Sequence, residues 1–230
     1  MKKKLVVLSG SGISAESGIN TFRSTNGLWH QYDIKQVATP EAWSKNPDLV
    51  TEFYNQRRKS VLEAQTNEAH RKIAALENTY DVVVITQNID DLHERGGSQN
   101  VLHLHGNIRM AKSSGPKVEN NYYPIKGWGL KASDRCPDGY RLRPHVVWFG
   151  EPVPMIETAT KVVSAAEIFI VVGTSLQVYP AAGLLDHVSQ NCRCYVIDPA
   201  TEELTIPQEF VAIKKNAVAG MNALFKELTS

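Results

Sequence analysis

Three groups of residues in this 230-residue chain have types and spacings suited to chemistry. The first is Gly10-Ser11-Gly12, which with Ser14 and Ala15 meets the pattern G-x-G-x-x-A. It follows the apolar run Leu5–Leu8 and precedes Ser14-Ala15-Glu16-Ser17, which reads as a helix start. Strand, glycine turn and helix start together present backbone N–H groups to a pyrophosphate. Gly10 permits a sharp turn, and Gly12 lets backbone approach a ligand with no Cβ in the way. Alone, the match describes equally well a turn with no ligand. The second group, Gln87-Asn88-Ile89-Asp90, follows the apolar run Asp81–Thr86. Amides and a carboxylate at the carboxyl end of a strand can bind ribose hydroxyls and a carboxamide, though a polar loop with an Asp cap has the same composition. The third is Val101-Leu102-His103-Leu104-His105-Gly106. Histidines at i and i+2 of a strand point the same way, and one at a strand end can serve as a base near neutral pH. Filling the core or the surface is the commoner use of such a histidine.

The elements that must position these groups alternate. Short apolar runs at Leu5–Leu8, Asp81–Thr86, Glu167–Val172, Cys194–Ile197 and Phe210–Lys214 read as buried strands, as does His145–Phe149. Helical stretches are expected from Pro40, over Pro47–Ala64, over Glu68–Glu77 behind an Asn67 cap, and over Met155–Ala166, Pro180–Gln190 and Ala217–Leu228. Within Pro47–Ala64, Leu49, Val50, Phe53 and Val61 form one apolar face, and Tyr54 and Arg57 share a flank. Strands alternating with helices imply an α/β fold with a doubly wound, mostly parallel, Rossmann-like sheet. A dehydrogenase would place a second strand ending in an acidic residue soon after the first helix. Here the next strand waits until Asp81, so a large segment is inserted where it can fold over a ligand. Residues 107–142, punctuated by Gly and Pro, read as a small irregular module. The expected division is a large domain from about 1–20, 80–106 and 143–230, with a smaller one from insertions at 21–79 and 107–142.

Composition narrows the class. A net charge of +1 gives no electrostatic case for a nucleic-acid or membrane partner. The basic start Met1-Lys2-Lys3-Lys4 precedes only four apolar residues, too few for a secretory signal, so a cytoplasmic location is expected. Three cysteines, Cys136, Cys192 and Cys194, are too sparse for a disulfide framework.

Taken jointly, five motifs in one order along nearly the whole chain carry a specific resemblance: Gly10–Arg23, Thr86–His93, Leu104–Gly106, Leu142–Glu151 and Gly173–Ala182. They resemble the sirtuins, NAD-dependent protein-lysine deacylases. The resemblance implies that NAD is cleaved and that an acyl group passes from lysine to ADP-ribose through an alkylimidate. It makes His105 the base for a ribose hydroxyl, a task that needs a pKa near working pH, whereas His103 matches no family role. Asn88 and Asp90 join His105 in the catalytic set. Gly10, Ser11, Gly12, Ser14, Ala15 and Glu16 would take the pyrophosphate. Phe22 and Arg23 belong to a covering loop that excludes water. Gln87, Asn88, Ile89 and Asp90 would hold ribose and carboxamide. Gly173, Thr174, Ser175, Asp198 and Ala217 would meet the adenosine half. Val147, Phe149 and Gly150 join Tyr54 and Arg57 as substrate contacts, the substrates being acylated-lysine proteins or peptides. Ser11 stands where the family usually has Ala, and Asp198 where many relatives have Asn.

Two further features refine the expectation. Tyr54 and Arg57 resemble the Tyr-x-x-Arg of the branch that removes succinyl and malonyl groups, in which a planar guanidinium meets an acyl carboxylate. This implies desuccinylase and demalonylase activity, with deacetylation also possible. The family's two C-x-x-C-like pairs are reduced to Cys136 alone, with Ala111-Lys112-Ser113-Ser114 where the first pair falls. One thiolate cannot close a four-ligand zinc site, so no metal is expected. Tyr122, Tyr123, Ile125, Trp128 and Leu130 are expected to form an apolar core in its place. The alternatives are mono-ADP-ribosyl transfer and a non-catalytic NAD- or partner-binding module.

Overall fold

The computed structural model describes residues 2–21, 33–116 and 121–230. Strand β1 (Lys4–Ser9) lies at the centre of a six-stranded parallel sheet with β2 (Asp81–Thr86), β3 (Val101–His103), β7 (Ile168–Val172), β8 (Arg193–Ile197) and β9 (Val211–Ile213), ordered β3-β2-β1-β7-β8-β9. The doubly wound sheet expected from the alternation is therefore present. The order reverses at β1, between β2 and β7, which opens a crevice at the carboxyl ends of those strands. Both faces are covered, which is why the strands read as continuous apolar runs rather than alternating ones. Leu5 and Val7 pack with helices Glu68–Ala75 and Ala217–Thr229 on one side. Val6 and Leu8 pack with helix Ile156–Ser164 and the Ala181–His187 segment on the other.

A second sheet is antiparallel, ordered β5-β4-β6, from β4 (Gly106–Ser113), β5 (Tyr122–Pro124) and β6 (Leu142–Val146). Sequence reading saw only irregular chain across 107–142. The register of β4 against β6 shifts between Gly106 and Ala111, and such an irregularity destroys the period-2 pattern that betrays a strand. The expected strand His145–Phe149 is displaced: pairing runs over Leu142–Val146 and 147–149 leave the sheet. Pro144 lies inside this strand because β6 is an edge, where a missing N–H is tolerated. Helix Glu68–Ala75 packs on the large sheet through Ala69 and Ile73, and β6 belongs to the small one. The helix expected over Pro180–Gln190 is a 3₁₀ segment, Ala181–His187, which contains the poor helix former Gly183.

The core of the small sheet is Ala111, Ile125, Leu130, Cys136 and Leu142, with Tyr123 against it. Tyr122 and Trp128, expected inside, are exposed, Tyr122 stacking on the His145 ring at 3.8 Å. So small a core cannot anchor itself, and polar ties from helix Pro47–Glu63 supplement it. Asn55 donates to the Leu130 carbonyl at 3.0 Å and accepts from the Leu130 N–H at 2.9 Å. Arg58 is fully buried and donates to the carbonyls of Ile108 and Trp128 and to Asn55 Oδ1. Its partners are all uncharged acceptors, and burial lowers its pKa to about 10. Among the described residues no helix is long and apolar enough to cross a membrane.

Arg58→Met keeps much of the volume but removes three hydrogen bonds, two of them tying the helix to the small sheet. It should destabilise the chain by about 3 kcal/mol in urea unfolding; a change within about 0.5 kcal/mol would show that these bonds do not hold the small sheet.

Candidate active site

A cavity of about 360 Å³ opens at the carboxyl edge of the large sheet, beside the small one. Ends of four strands reach it: Gly10 and Ser11 after β1, Gln87, Asn88 and Ile89 after β2, His105 after β3, and Thr174 after β7. Tyr54 and Arg57 line it from helix Pro47–Glu63, and Val147, Phe149 and Gly150 from the chain after β6. These twelve expected residues thus converge from six separate stretches of sequence.

The first turn is held by its contact with the turn after β7. Gly12 N–H donates to the Gly173 carbonyl at 2.8 Å. A Cβ on Gly12 would lie 2.7 Å from Gly173 Cα, and Gly173 itself has φ +63°. A side chain at position 12 is therefore excluded by backbone-to-backbone packing. Gly12, Ser14, Ala15, Glu16, Asp90, Gly173, Ser175, Asp198 and Ala217 do not line the cavity. Glu16 is exposed and accepts from Val218 N–H, at the start of the last helix where Ala217 lies. Asp198 follows β8, and its carboxylate accepts from the Ala200 N–H. Phe22 and Arg23 lie outside the described residues.

Behind the cavity wall the polar residues are wired together. Asn88 donates through Nδ2 to Ser14 Oγ at 3.1 Å, and Ser14 Oγ donates to Asp90 Oδ2 at 3.0 Å. Asp90 Oδ1 accepts from the Leu92 N–H. Burial pushes the Asp90 carboxyl up from its ordinary range, opposed by these two bonds. Gln87 donates to Thr174 Oγ1 at 2.9 Å. This loop is thus fixed on both sides.

His105 is set for proton transfer. Its Nδ1 is 3.0 Å from the Gln87 carbonyl, an acceptor only, so Nδ1 carries the hydrogen and Nε2 keeps its lone pair. Nε2 has no hydrogen bond among the described residues. Burial lowers the ring's pKa below 6.5, so it is neutral at pH 7. The next residue must be glycine: Gly106 has φ +86°, and a Cβ there would fall 2.2 Å from the His145 carbonyl.

Apolar lining supplies what the polar residues lack. Phe53 and Trp148 are buried in its wall, and Tyr179 stands exposed at its rim. Sequence reading did not assign Phe53, Trp148 or Tyr179 to the site; the dense aromatic run VVWFG was the available signal. Arg143 explains the longer motif around that run. Its guanidinium lies 3.8 Å from the Trp148 ring and pairs with Glu151, whose second oxygen accepts from Trp148 N–H. Val147 N–H donates to the His105 carbonyl and Phe149 N–H to that of Ala38, which fixes the loop between the two sheets.

With this arrangement in view, similarity to known proteins is decisive. The Sir2 family model matches residues 10–180. The chain belongs to the Sir2 family. An NAD-dependent protein deacylase of Bacteroides thetaiotaomicron is 47% identical over 225 residues, covering 96% of each chain. One of the same name from Helicobacter pylori is 47% identical over 226 residues, covering 98% of this chain and 95% of its own. Among solved structures, a Sir2 homologue in complex with ADP ribose superposes with a TM-score of 0.87 at 38% identity, over 99% of this chain and 92% of that one. A Sir2 homologue–NAD complex gives 0.83, also at 38% identity, over 99% and 90%. The expected family is thereby established, and the Sir2 motifs are the segments that meet at the cavity or tie down its walls.

Proposed function

We propose that the protein is an NAD-dependent protein-lysine deacylase that favours acyl groups ending in a carboxylate. The observation that carries the reading is the neutral His105 ring, its tautomer set by Gln87, facing a cavity shared with the turn after β1. Family membership and the names of the relatives support the NAD dependence. The donor set fits that cosubstrate: amides of Gln87 and Asn88, the hydroxyl of Thr174 and the backbone of Gly10 and Ser11 are suited to a carboxamide, ribose and phosphates. Gly12, Ser14, Ala15, Glu16, Ile89 and Asp90 complete that set in our reading, with Phe22 and Arg23 as a cover and Gly173, Ser175, Asp198 and Ala217 toward the adenosine end. When bound, NAD supplies the ADP-ribose that receives the acyl group as nicotinamide leaves.

The chain's own residues supply the rest. His105 Nε2 takes the proton of a ribose hydroxyl, and Asn88, braced through Ser14 by Asp90, holds the reacting sugar. Val147, Phe149 and Gly150 orient the acylated peptide, and the aromatic wall excludes water. Acyl choice rests on Tyr54 and Arg57. Both are buried in helix Pro47–Glu63 and both line the cavity. Burial lowers the Arg57 pKa to about 10 and raises that of Tyr54 to about 12, so at pH 7 one is a cation and the other a hydroxyl donor. A cation in such surroundings gains from a carboxylate that can accept a forked pair of hydrogen bonds.

We also propose that the small sheet holds no structural zinc. Cys136 is buried among apolar side chains, its thiol 3.5 Å from Ser113 Oγ, and the ties from Asn55 and Arg58 do the holding.

With NAD and a succinyl-lysine peptide, mass spectrometry should detect O-succinyl-ADP-ribose, and His105→Ala should reduce its formation about 10²–10⁴-fold. Label transferred to protein instead would favour ADP-ribosyl transfer, and NAD binding without turnover a non-catalytic module. The lowered His105 pKa means that the base is lost only as pH falls through a value below 6.5, so the acid limb of kcat/KM should lie below 6.5. Arg57→Met should reduce desuccinylation at least tenfold more than deacetylation; equal losses would reject the carboxylate preference. Metal analysis of the purified chain should find well under one zinc per molecule, and a stoichiometric, tightly held zinc would overturn that part of the proposal.

A further inference from the structure

The function proposed above leaves His103 unused, yet it repeats the geometry of His105 one step along. His105 Nδ1 meets the carbonyl of Gln87 at 3.0 Å, and His103 Nδ1 meets the carbonyl of the next residue, Asn88, at 3.1 Å. Two successive carbonyls of one loop are each held by a histidine from the neighbouring segment. The rings differ on their far sides. His105 Nε2 has no hydrogen bond among the described residues, whereas His103 Nε2 is 2.7 Å from Glu94 Oε1 and 3.5 Å from Asn107 Nδ2.

We propose that His103 and Glu94 act together as positioning residues for the Gln87–Asp90 loop, with imidazolium His103 donating to the Asn88 carbonyl and the Glu94 carboxylate at once. This rests on the reading of the cavity as the NAD site. The Asn88 carbonyl and the Glu94 carboxylate can only accept, so only a ring with hydrogen on both nitrogens satisfies both, and the Asn107 amide at 3.5 Å is then a neighbour and not a hydrogen-bond partner. The titratable groups around the ring are Glu94, Asp90, His93 and His145. Glu94 and Asp90 favour its charge, against the desolvation that opposes it, and the balance raises its pKa above 6.5. Burial holds His93 and His145 neutral, so neither repels it. Once the proton is lost, the carboxylate keeps the remaining hydrogen on Nε2. The Nδ1 lone pair then faces the Asn88 carbonyl, and the hold becomes a repulsion beneath a residue whose side chain lies in the Asn88–Ser14–Asp90 chain.

Calorimetric titration of the full chain with NAD from pH 6 to pH 9 tests this. The wild-type Kd should weaken several-fold through a midpoint above 6.5. In Glu94→Gln the side-chain amide can donate to Nε2 and leave the hydrogen on Nδ1, so Kd should be nearly independent of pH. His103→Phe should bind about tenfold more weakly throughout. Superimposable wild-type and Glu94→Gln profiles, or a flat wild-type profile, would overturn the inference while leaving the NAD site intact. Absence of any NAD binding by the wild type would overturn the site reading and this inference with it. If His103→Phe fails to unfold cooperatively on heating, the Glu94→Gln comparison alone decides.

Discussion

The Ser14 hydroxyl is the contact on which the site depends. It accepts from Asn88 and donates to Asp90, and it lies in the interior with almost no exposure. A buried amide and a buried carboxyl would otherwise face each other without a bridge, and leaving either unsatisfied costs about 1–3 kcal/mol. By filling both roles, one hydroxyl ties the turn after β1 to the loop after β2. Hydrogen bonds in such a chain reinforce one another in low dielectric. The loop can then present polar groups to a cavity without collapsing onto itself.

That bridge works only because the turns beside it are held at backbone distance. Gly12 and Gly173 bring the connections after β1 and β7 together with no side chain between them. Gly106 does the same where the chain leaves His105 and enters the small sheet against the His145 carbonyl. The cavity is therefore a seam between two sheets, with its polar floor on one and its aromatic wall on the other. Helix Pro47–Glu63 closes the seam, carrying Tyr54 and Arg57 toward the cavity and Asn55 and Arg58 toward the small sheet. Adjacent arginines on that helix thus face different tasks, one lining the cavity and one stitching backbone carbonyls together. The two histidines at i and i+2 divide in a similar way. Burial lowers the pKa of His105, and the neighbouring carboxylate raises that of His103.

Much of this was legible along the chain. The parallel strands are short, apolar and buried on both faces, so each stands out without its partners. The glycine turn, Gln87–Asp90 and His105-Gly106 are local patterns whose chemistry follows from residue type, and all contribute to the cavity or its support. The small sheet was not legible. Its central strand changes register, its edge strand contains Pro144, and Tyr122 and Trp128 are exposed aromatics that composition alone would bury. The second role of the motif ending in Glu151 was equally hidden, because Arg143 and Glu151 meet only when the chain between them folds around Trp148.

By itself the order of residues determined the doubly wound sheet, the family and the side chains with chemistry to offer, because strand burial and short motifs are properties of neighbouring residues. Tertiary structure alone decided which of those side chains reach the cavity, which tautomer His105 adopts and why Gly12 must lack a Cβ. Those outcomes depend on the Gln87 carbonyl, the Gly173 backbone and the Ser14 hydroxyl, partners distant along the chain that only close packing brings within bonding distance.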